Sequence, residues 1–381
     1  MKKHKFGFIL PPGERFTGAS AVNRDIFQSI KGELKAKAIV ADTDEFYKIH
    51  IVGSLLNYFT NYKEANKYEY VMGTSFATLP FVHSSKIVQH FHSVDTGSYD
   101  NVLSAIKKQT RNERKVMLRW LNFFDGIFEE DLSQIDNRKL ISEATESVCA
   151  KMSKKIIAVS PSVKEQLIKL FGIEPNKIEV ILNGIPGYWF EKSPVDFISE
   201  TSVVFPTRIN YTTYTFLEKG QDRAFEILSQ VTIPKFVYVN FGTMKEEIRE
   251  TYKKVIENKS KSNLIVGLNR EQLQREYKAG QIFLSTSRTE ACQLTLIEAM
   301  TSKLCPITYP VGIASTIIKN GVNGYVVHSV EEAVKMINKL KGDQNLREKI
   351  GHNAYKTAIQ NFTMSDMIKK YKSTLKNILK D

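Results

Sequence analysis

Two glutamates stand eight residues apart in the run Ser285-Thr-Ser-Arg-Thr-Glu290-Ala-Cys-Gln-Leu-Thr-Leu-Ile-Glu298-Ala-Met300. An apolar run ends at Leu284 and a helical pattern opens near Gln293. Glu290 therefore falls in the turn at a strand's carboxyl end, and Glu298 in the second turn of the following helix. The amides of Gln293–Leu296 have no partner within that helix, and a helix start of this kind takes a phosphate. Two carboxylates flanking it can accept hydrogen bonds from sugar or ribose hydroxyls. The same residues also read as a capping charge at Glu290 and a solvated helix position at Glu298.

Further residues suit the same chemistry. Arg208 follows the apolar run Val203–Pro206, and Lys219-Gly220 opens another helix. A guanidinium fork and an ammonium point charge at such places suit a diphosphate, although ordinary surface cations look the same. In the turn Pro11-Pro-Gly-Glu-Arg-Phe-Thr-Gly18, Gly18 permits close backbone approach, or is a plain turn glycine. Gln89-His90-Phe-His92-Ser-Val-Asp95 puts two histidines at another strand end, where a lone His is most often structural. The stretch from Lys107-Lys108 through Arg111, Arg114-Lys115 and Arg119-Trp120 to Phe123-Phe124 sets basic residues beside aromatics. That suits a membrane surface or an anionic acceptor, or a helix packing Met117, Leu118 and Leu121 inward behind a solvated basic face.

The elements that must position these residues alternate in type. Apolar runs at Lys5–Leu10, Lys37–Ala41, Tyr68–Met72, Lys86–Phe91, Lys155–Val159 and Ile178–Leu182 read as strands, with helical patterns between them at Ala19–Ile30, Asp44–Tyr58 and Ser162–Phe171. The second half repeats this at Val203–Pro206, Phe236–Phe241, Asn263–Gly267, Gln281–Leu284, Leu304–Thr308 and Gly324–Val327, then closes with three helical segments. Strands alternating with helices predict parallel sheets. The expected fold is α/β: two doubly wound, Rossmann-like domains facing each other across a cleft, with ligands at the carboxyl ends of strands. The expected domains are 1–183, with a helical insertion near 99–153, a linker at 184–201, a second domain at 202–362 and a final helix at 363–381.

Several motifs together resemble a known family. The Glu290-x7-Glu298 spacing, with Ala299-Met300 and then Cys305-Pro306, resembles the retaining glycosyltransferases of GT-B fold, and most of all glycosyltransferase family 4. Asn320-Gly-Val-Asn-Gly-Tyr-Val-Val327, Val159-Ser-Pro-Ser-Val163 and Val180-Ile-Leu-Asn-Gly-Ile185 are similar to other segments of that family. The resemblance covers residues 155–362 well and 1–100 loosely. It implies a sugar moved from a nucleotide-sugar donor, held by the second domain, to an acceptor held by the first, with the last helix crossing back to the first domain. It implies Glu290 and His92 as catalytic residues, with His90 the second choice. It implies Gly18, Arg208, Lys219, Cys292, Gln293, Leu294, Thr295 and Glu298 as the donor site. Two departures stand out. The loop Ile209–Glu218 is longer than the family pattern, and Gln293 stands where the family usually has Gly, which bears on donor identity.

The chain has 381 residues, enough for two domains. Its 42% hydrophobic and 25% charged residues exclude a wholly disordered chain, a collagen and a coiled coil. Three cysteines without Cys-x-x-Cys spacing argue against a disulfide framework and a structural zinc, and for a reducing, cytoplasmic setting. The five-residue apolar run Phe6–Leu10 is too short for a signal-peptide core and reads as a first strand. No uncharged stretch is long enough to span a bilayer, so a soluble protein, or one peripheral at the inner membrane face, is expected. The net charge of +13 favours an anionic partner: nucleotide, lipid surface, anionic polymer or nucleic acid. A basic genome-wide composition would give the same charge. No Asp-x-Asp metal pair stands out, so no cofactor and no obligatory metal are expected. The alternatives are an epimerase or phosphorylase on the same architecture, a silent partner binding a glycan or a true transferase, and a transferase acting on nucleic acid. Steeply salt-dependent DNA binding marks the last; intact Glu290, Glu298 and Lys219 argue against the silent partner, whereas Gln293 argues mildly for it.

Overall fold

The computed structural model describes residues 4–10, 18–40, 67–74, 78–79, 81–82, 86–124, 135–191, 201–207, 212–239, 246–256 and 262–380. The chain forms two compact units. The first comprises Met1–Tyr99, Asp136–Gly184 and Met364–Asp381, and the second Asp100–Ile135 and Ile185–Thr363. The helix expected at Asp44–Tyr58 lies outside the described residues.

The first unit holds strands β1 (His4–Leu10), β2 (Lys37–Val40), β3 (Tyr68–Thr74), β4 (Lys86–Phe91), β5 (Lys155–Ala158) and β6 (Ile178–Val180). They form one parallel sheet in the order β2-β1-β3-β4-β5-β6. Ile87, Val88, Phe91, Ile156, Ile157 and Ala158 are all fully buried. Helices cover both faces of such a sheet, so its strands read as continuous apolar runs. Helices α1 (Gly18–Ile30), α4 (Ile135–Met152) and α5 (Pro161–Phe171) accompany this sheet; between α1 and α4 in the chain come α2 (Asp95–Lys107), which runs past the end of this unit's segment, and α3 (Arg111–Phe123), which belongs to the second unit. The start of α5 is written locally: Ser160 accepts from the Val163 amide and Pro161 opens the first turn, while Gly172, at φ +66°, closes the last.

The second unit holds β7 (Val203–Thr207), β8 (Lys235–Val239), β9 (Ser262–Val266), β10 (Ile282–Ser285), β11 (Cys305–Thr308) and β12 (Tyr325–Val326). Its sheet, also parallel, runs β12-β11-β10-β7-β8-β9. The chain order reverses between β7 and β10, so their carboxyl ends flank the crevice where doubly wound sheets bind ligands. Helices α6 (Thr213–Glu218), α7 (Gln221–Gln230), α8 (Glu246–Ile256), α9 (Arg270–Ala279), α10 (Leu294–Thr301), α11 (Ala314–Ile317), α12 (Val330–Gly342) and α13 (Gln344–Asn361) connect and cover these strands. The described part of the linker turns at Gly187–Phe190 and buries Trp189 against Tyr277, with ring centroids 5.8 Å apart, in this same unit.

The domain division departs from the expectation in one place. Residues 100–135, expected as an insertion in the first domain, belong to the second unit. The reason is the apolar face of α3. Met117 and Trp120, with Phe124 just beyond the helix, are buried in the second unit's core. The Phe124 ring lies 4.9 Å from Tyr252 and 5.3 Å from Phe216, and Trp120 Nε1–H donates to Glu226 at 3.1 Å. Leu118, expected inward, is 48% exposed. The final helix, α14 (Met364–Ile378), belongs to the first unit. There the Tyr70 hydroxyl donates to Ile378 O at 3.1 Å, and the Thr374 hydroxyl to Glu179 at 2.7 Å.

Candidate functional site

Lys219 follows the last residue of α6, and the close approach of two loops fixes where it goes. Gly220 has φ +61°, and a Cβ there would come within 1.9 Å of the Thr286 carbonyl oxygen. Only glycine permits that contact. The Thr286 hydroxyl then donates to Lys219 O at 3.1 Å, and the Arg288 amide to Glu218 O at 2.8 Å. Beneath them Arg288 forms a bidentate pair with Asp222, at 2.7 and 2.6 Å, and donates to Leu217 O at 2.6 Å. Both side chains of the pair are buried, where a bidentate fork rigidifies what it joins, while Arg288 Nε has no hydrogen-bond partner among the described residues. The loop after β10 is thereby sewn to the turn between α6 and α7.

This brings Lys219 and Glu290 together. Lys219 Nζ lies 3.0 Å from Glu290 Oε1, and the Ser287 hydroxyl donates to the same oxygen at 2.9 Å. Glu218 Oε1 is 3.8 Å from the same ammonium. Gly312, at φ +52°, presses on the backbone behind: a Cβ there would come within 2.6 Å of Glu290 O. A lysine and a carboxylate, both partly exposed at a strand's carboxyl end, can meet an anion and a hydroxyl side by side.

Helix α10 begins directly after this loop. Its first intrahelical amide bond runs from Ile297 N to Gln293 O at 3.3 Å. The amides of Leu294, Thr295 and Leu296 precede that bond and form the positive end of the helix. Gln293 occupies the cap position without capping; its Nε2 donates to the Ser285 hydroxyl at 2.9 Å. The side chain that replaces the family's glycine is thus turned back onto the end of β10. Cys292 is buried, Leu294 and Thr295 are half-buried, and Glu298 is half-buried on the next turn of α10. Arg208 lies outside the described residues. Among those residues no three His, Cys, Asp or Glu side chains converge as a metal site, and no helix is long and apolar enough to cross a membrane.

The remaining site residues belong to the first unit. Gly18 is the first residue of α1. His90 lies in β4, fully buried, and His92 follows that strand, half-buried. Asn23 Oδ1 is 3.1 Å from His90 Nδ1 and 3.0 Å from His92 Nε2. The Tyr371 hydroxyl of α14 is 2.8 Å from His90 Nε2. Burial pushes both imidazoles down: His90 well below its usual range, with His92 adding to the effect, and His92 to about 3. Both rings are neutral at physiological pH. His90 has both nitrogens engaged within the core, so His92 is the histidine left with capacity for a ligand.

Sequence reasoning missed Asp222, Ser287, Arg288, Gly312, Asn23 and Tyr371. Asp222 and Arg288 lie far apart in the chain, and no local pattern pairs them. Gly220 beside Lys219 was the available signal that two backbones meet there.

The family model for glycosyl transferases group 1 matches residues 210–357, and that for glycosyltransferase family 4 matches residues 130–186. An uncharacterized glycosyltransferase of Methanocaldococcus jannaschii is 24% identical over 263 residues, covering 64% of this chain and 63% of its own length. The chain therefore matches less than two thirds of that relative. Anabaena HepE in complex with UDP and glucose has a TM-score of 0.69 at 16% identity, over 98% of this chain and 100% of that one. A sucrose-phosphate synthase from Thermosynechococcus elongatus has a TM-score of 0.72 at 12% identity, over 99% of both chains. At these identities the likeness to the solved structures is one of fold. The two family models fall in order along the chain, and its two parallel doubly wound sheets have the GT-B fold, with a glycosyl transferases group 1 segment at residues 210–357 and a glycosyltransferase family 4 segment at residues 130–186.

Proposed function

We propose that this protein transfers a sugar from a nucleotide-sugar to an acceptor hydroxyl, with retention of configuration at the sugar. The observation that carries the reading is the Lys219–Glu290 contact of 3.0 Å beside the positive end of α10, within the group 1 segment. In this reading Lys219 and the α10 amides meet the charge that develops on the departing diphosphate, with Arg208 as a further cation. Glu290 accepts from a hydroxyl of the transferred sugar. Glu298, further along α10, accepts from the ribose. HepE, a fold relative, holds UDP and glucose, which favours a UDP-sugar as the first donor to try. With cations of the chain at the diphosphate, no divalent metal is required.

The acceptor side is drawn from charge and chemistry. Arg111, Arg114, Lys115 and Arg119 are exposed on α3, with Leu118 and Phe123 exposed among them. That face suits an anionic or membrane-associated acceptor. Cys149, Cys292 and Cys305 are buried thiols that form no disulfide, in keeping with a reducing compartment.

The test is release of free nucleotide in EDTA, the diphosphate from UDP-, GDP- and ADP-sugars and the monophosphate from CMP-sugars, with the anomeric configuration of the product read by NMR. A retained anomer formed in EDTA supports the reading. An inverted product, or activity that returns only with magnesium or manganese, overturns the corresponding part.

A further inference from the structure

The hydrogen bonds around His90 and His92 have one consistent direction. A carboxamide oxygen only accepts, and it has two lone pairs. Asn23 Oδ1 faces His90 Nδ1 at 3.1 Å and His92 Nε2 at 3.0 Å, so both nitrogens carry the hydrogen. His90 then has its lone pair at Nε2, where the buried Tyr371 hydroxyl donates at 2.8 Å. His92 has its lone pair at Nδ1. The chain of bonds runs from Tyr371 to His90 to Asn23, meets the bond from His92 there, and leaves one acceptor without a partner among the described residues. Asn23 is 4% exposed, so water does not compete for its oxygen.

We infer that Asn23 is a positioning residue of the transfer site: it fixes His92 as the Nε2–H tautomer, so that the half-buried ring offers its Nδ1 lone pair to a substrate hydroxyl. The role in transfer rests on the reading given under Proposed function; the tautomer does not. Burial of both rings, whose centroids are 4.0 Å apart, supports the assignment, because two adjacent imidazoliums would repel each other away from water. Among the described residues, the titratable groups that meet the pair are Tyr371, from α14, and the rings themselves; α1 contributes Asn23, which is neutral. A neutral amide here fixes the tautomer without adding the charge that would hold His92 as an imidazolium. His92 so fixed accepts a hydrogen bond and does not act as an acid.

Long-range ¹H–¹⁵N correlation spectra of the full chain, without substrate, report the tautomer of each histidine directly. The expected spectrum shows His92 as the neutral Nε2–H form from pH 8 to pH 5. Asn23→Asp, nearly isosteric, should raise the His92 titration midpoint by about 2 pH units or more through its carboxylate, and should add an acid limb to the pH profile of kcat. Asn23→Ala should populate both tautomers and lower kcat about tenfold with donor KM unchanged, as expected for lost orientation. Tyr371→Phe removes a bond of the same network from the far side of His90 and should leave the His92 tautomer as it is. An Nδ1–H His92 in the unmodified protein, or a His92 spectrum unchanged by Asn23→Ala, overturns the inference. A tautomer that mixes in Asn23→Ala while kcat stays constant overturns the role in transfer. If no nucleotide-sugar is turned over by the unmodified protein, the transferase reading fails, and the spectra alone decide the tautomer.

Discussion

Replacing Glu290 by Gln should separate binding from turnover with opposite signs. Lys219 Nζ lies 3.0 Å from Glu290 Oε1, and the two side chains are 21% and 16% exposed. The ammonium that is to meet a diphosphate is therefore shared with a carboxylate of its own chain. A glutamine keeps the shape and still accepts from the Ser287 hydroxyl, so the change removes charge and little else. A hydrogen bond to a charged group contributes about 1.5–3 kcal/mol when well buried, and partial exposure lowers that. Relieving Lys219 of the Glu290 charge, with Glu218 still 3.8 Å from it, should tighten nucleoside diphosphate by about 1 kcal/mol, about fivefold in affinity. Turnover should move the other way. Loss of a charge that meets the sugar in the transition state should lower kcat by about 10²–10³-fold. Calorimetry with nucleoside diphosphate alone and initial rates with the nucleotide-sugar give the two numbers. Weaker diphosphate binding in Glu290→Gln, or full turnover, would refute this account of the pair.

Three further outcomes follow from other parts of the structure. Gly220→Ala should cost about 2–4 kcal/mol in urea unfolding, because its Cβ would meet Thr286 O at 1.9 Å; Gly172→Ala, also at positive φ but in open space, should cost only about 1–2 kcal/mol, and equal costs would contradict the close-approach argument. Reversing Arg111, Arg114 and Lys115 to Glu should weaken binding to anionic vesicles or acceptor polymer and leave donor affinity within about twofold; the opposite pattern would make α3 a structural element only. The Glu146 carboxyl caps α2 by accepting from the Asp95 and Thr96 amides, and burial, then Asp95, pushes it up to about 8. It is protonated in the fold where the unfolded chain would ionise it, so its stabilisation is full below pH 4.5 and is lost as pH rises through about 8. Glu146→Gln should flatten that slope, and an unchanged slope would place the pH dependence elsewhere.

The sheets were legible because parallel strands covered on both faces are written as short apolar runs. Val203–Pro206 became β7 extended by one residue, and Ile178–Leu182 became β6 with its last two residues in the following loop. The local devices were legible too: the Lys219-Gly220 step, and the carboxylate-bearing turn before α10. What escaped was set by packing across long sequence distances. The Arg288–Asp222 fork depends on two loops meeting, and the tautomer of His92 depends on a side chain from α1. The amphipathic pattern of α3 showed that one face is buried, but a pattern cannot say against which sheet. Trp120 and Phe124 found the aromatic core formed by Phe216, Phe225 and Tyr252, so the helix joined the second unit.

The central claim is that a nucleoside diphosphate binds at Lys219 and the start of α10. Calorimetric titration of UDP, GDP, ADP and CDP into the unmodified protein, Lys219→Ala and Glu298→Gln tests it without needing the acceptor. The account predicts that one nucleotide binds the unmodified protein, and that each substitution weakens it about tenfold or more, the scale of a lost charge-assisted contact of about 1.5–3 kcal/mol. Failure of all four nucleotides to bind, or equal binding by all three proteins, would contradict it.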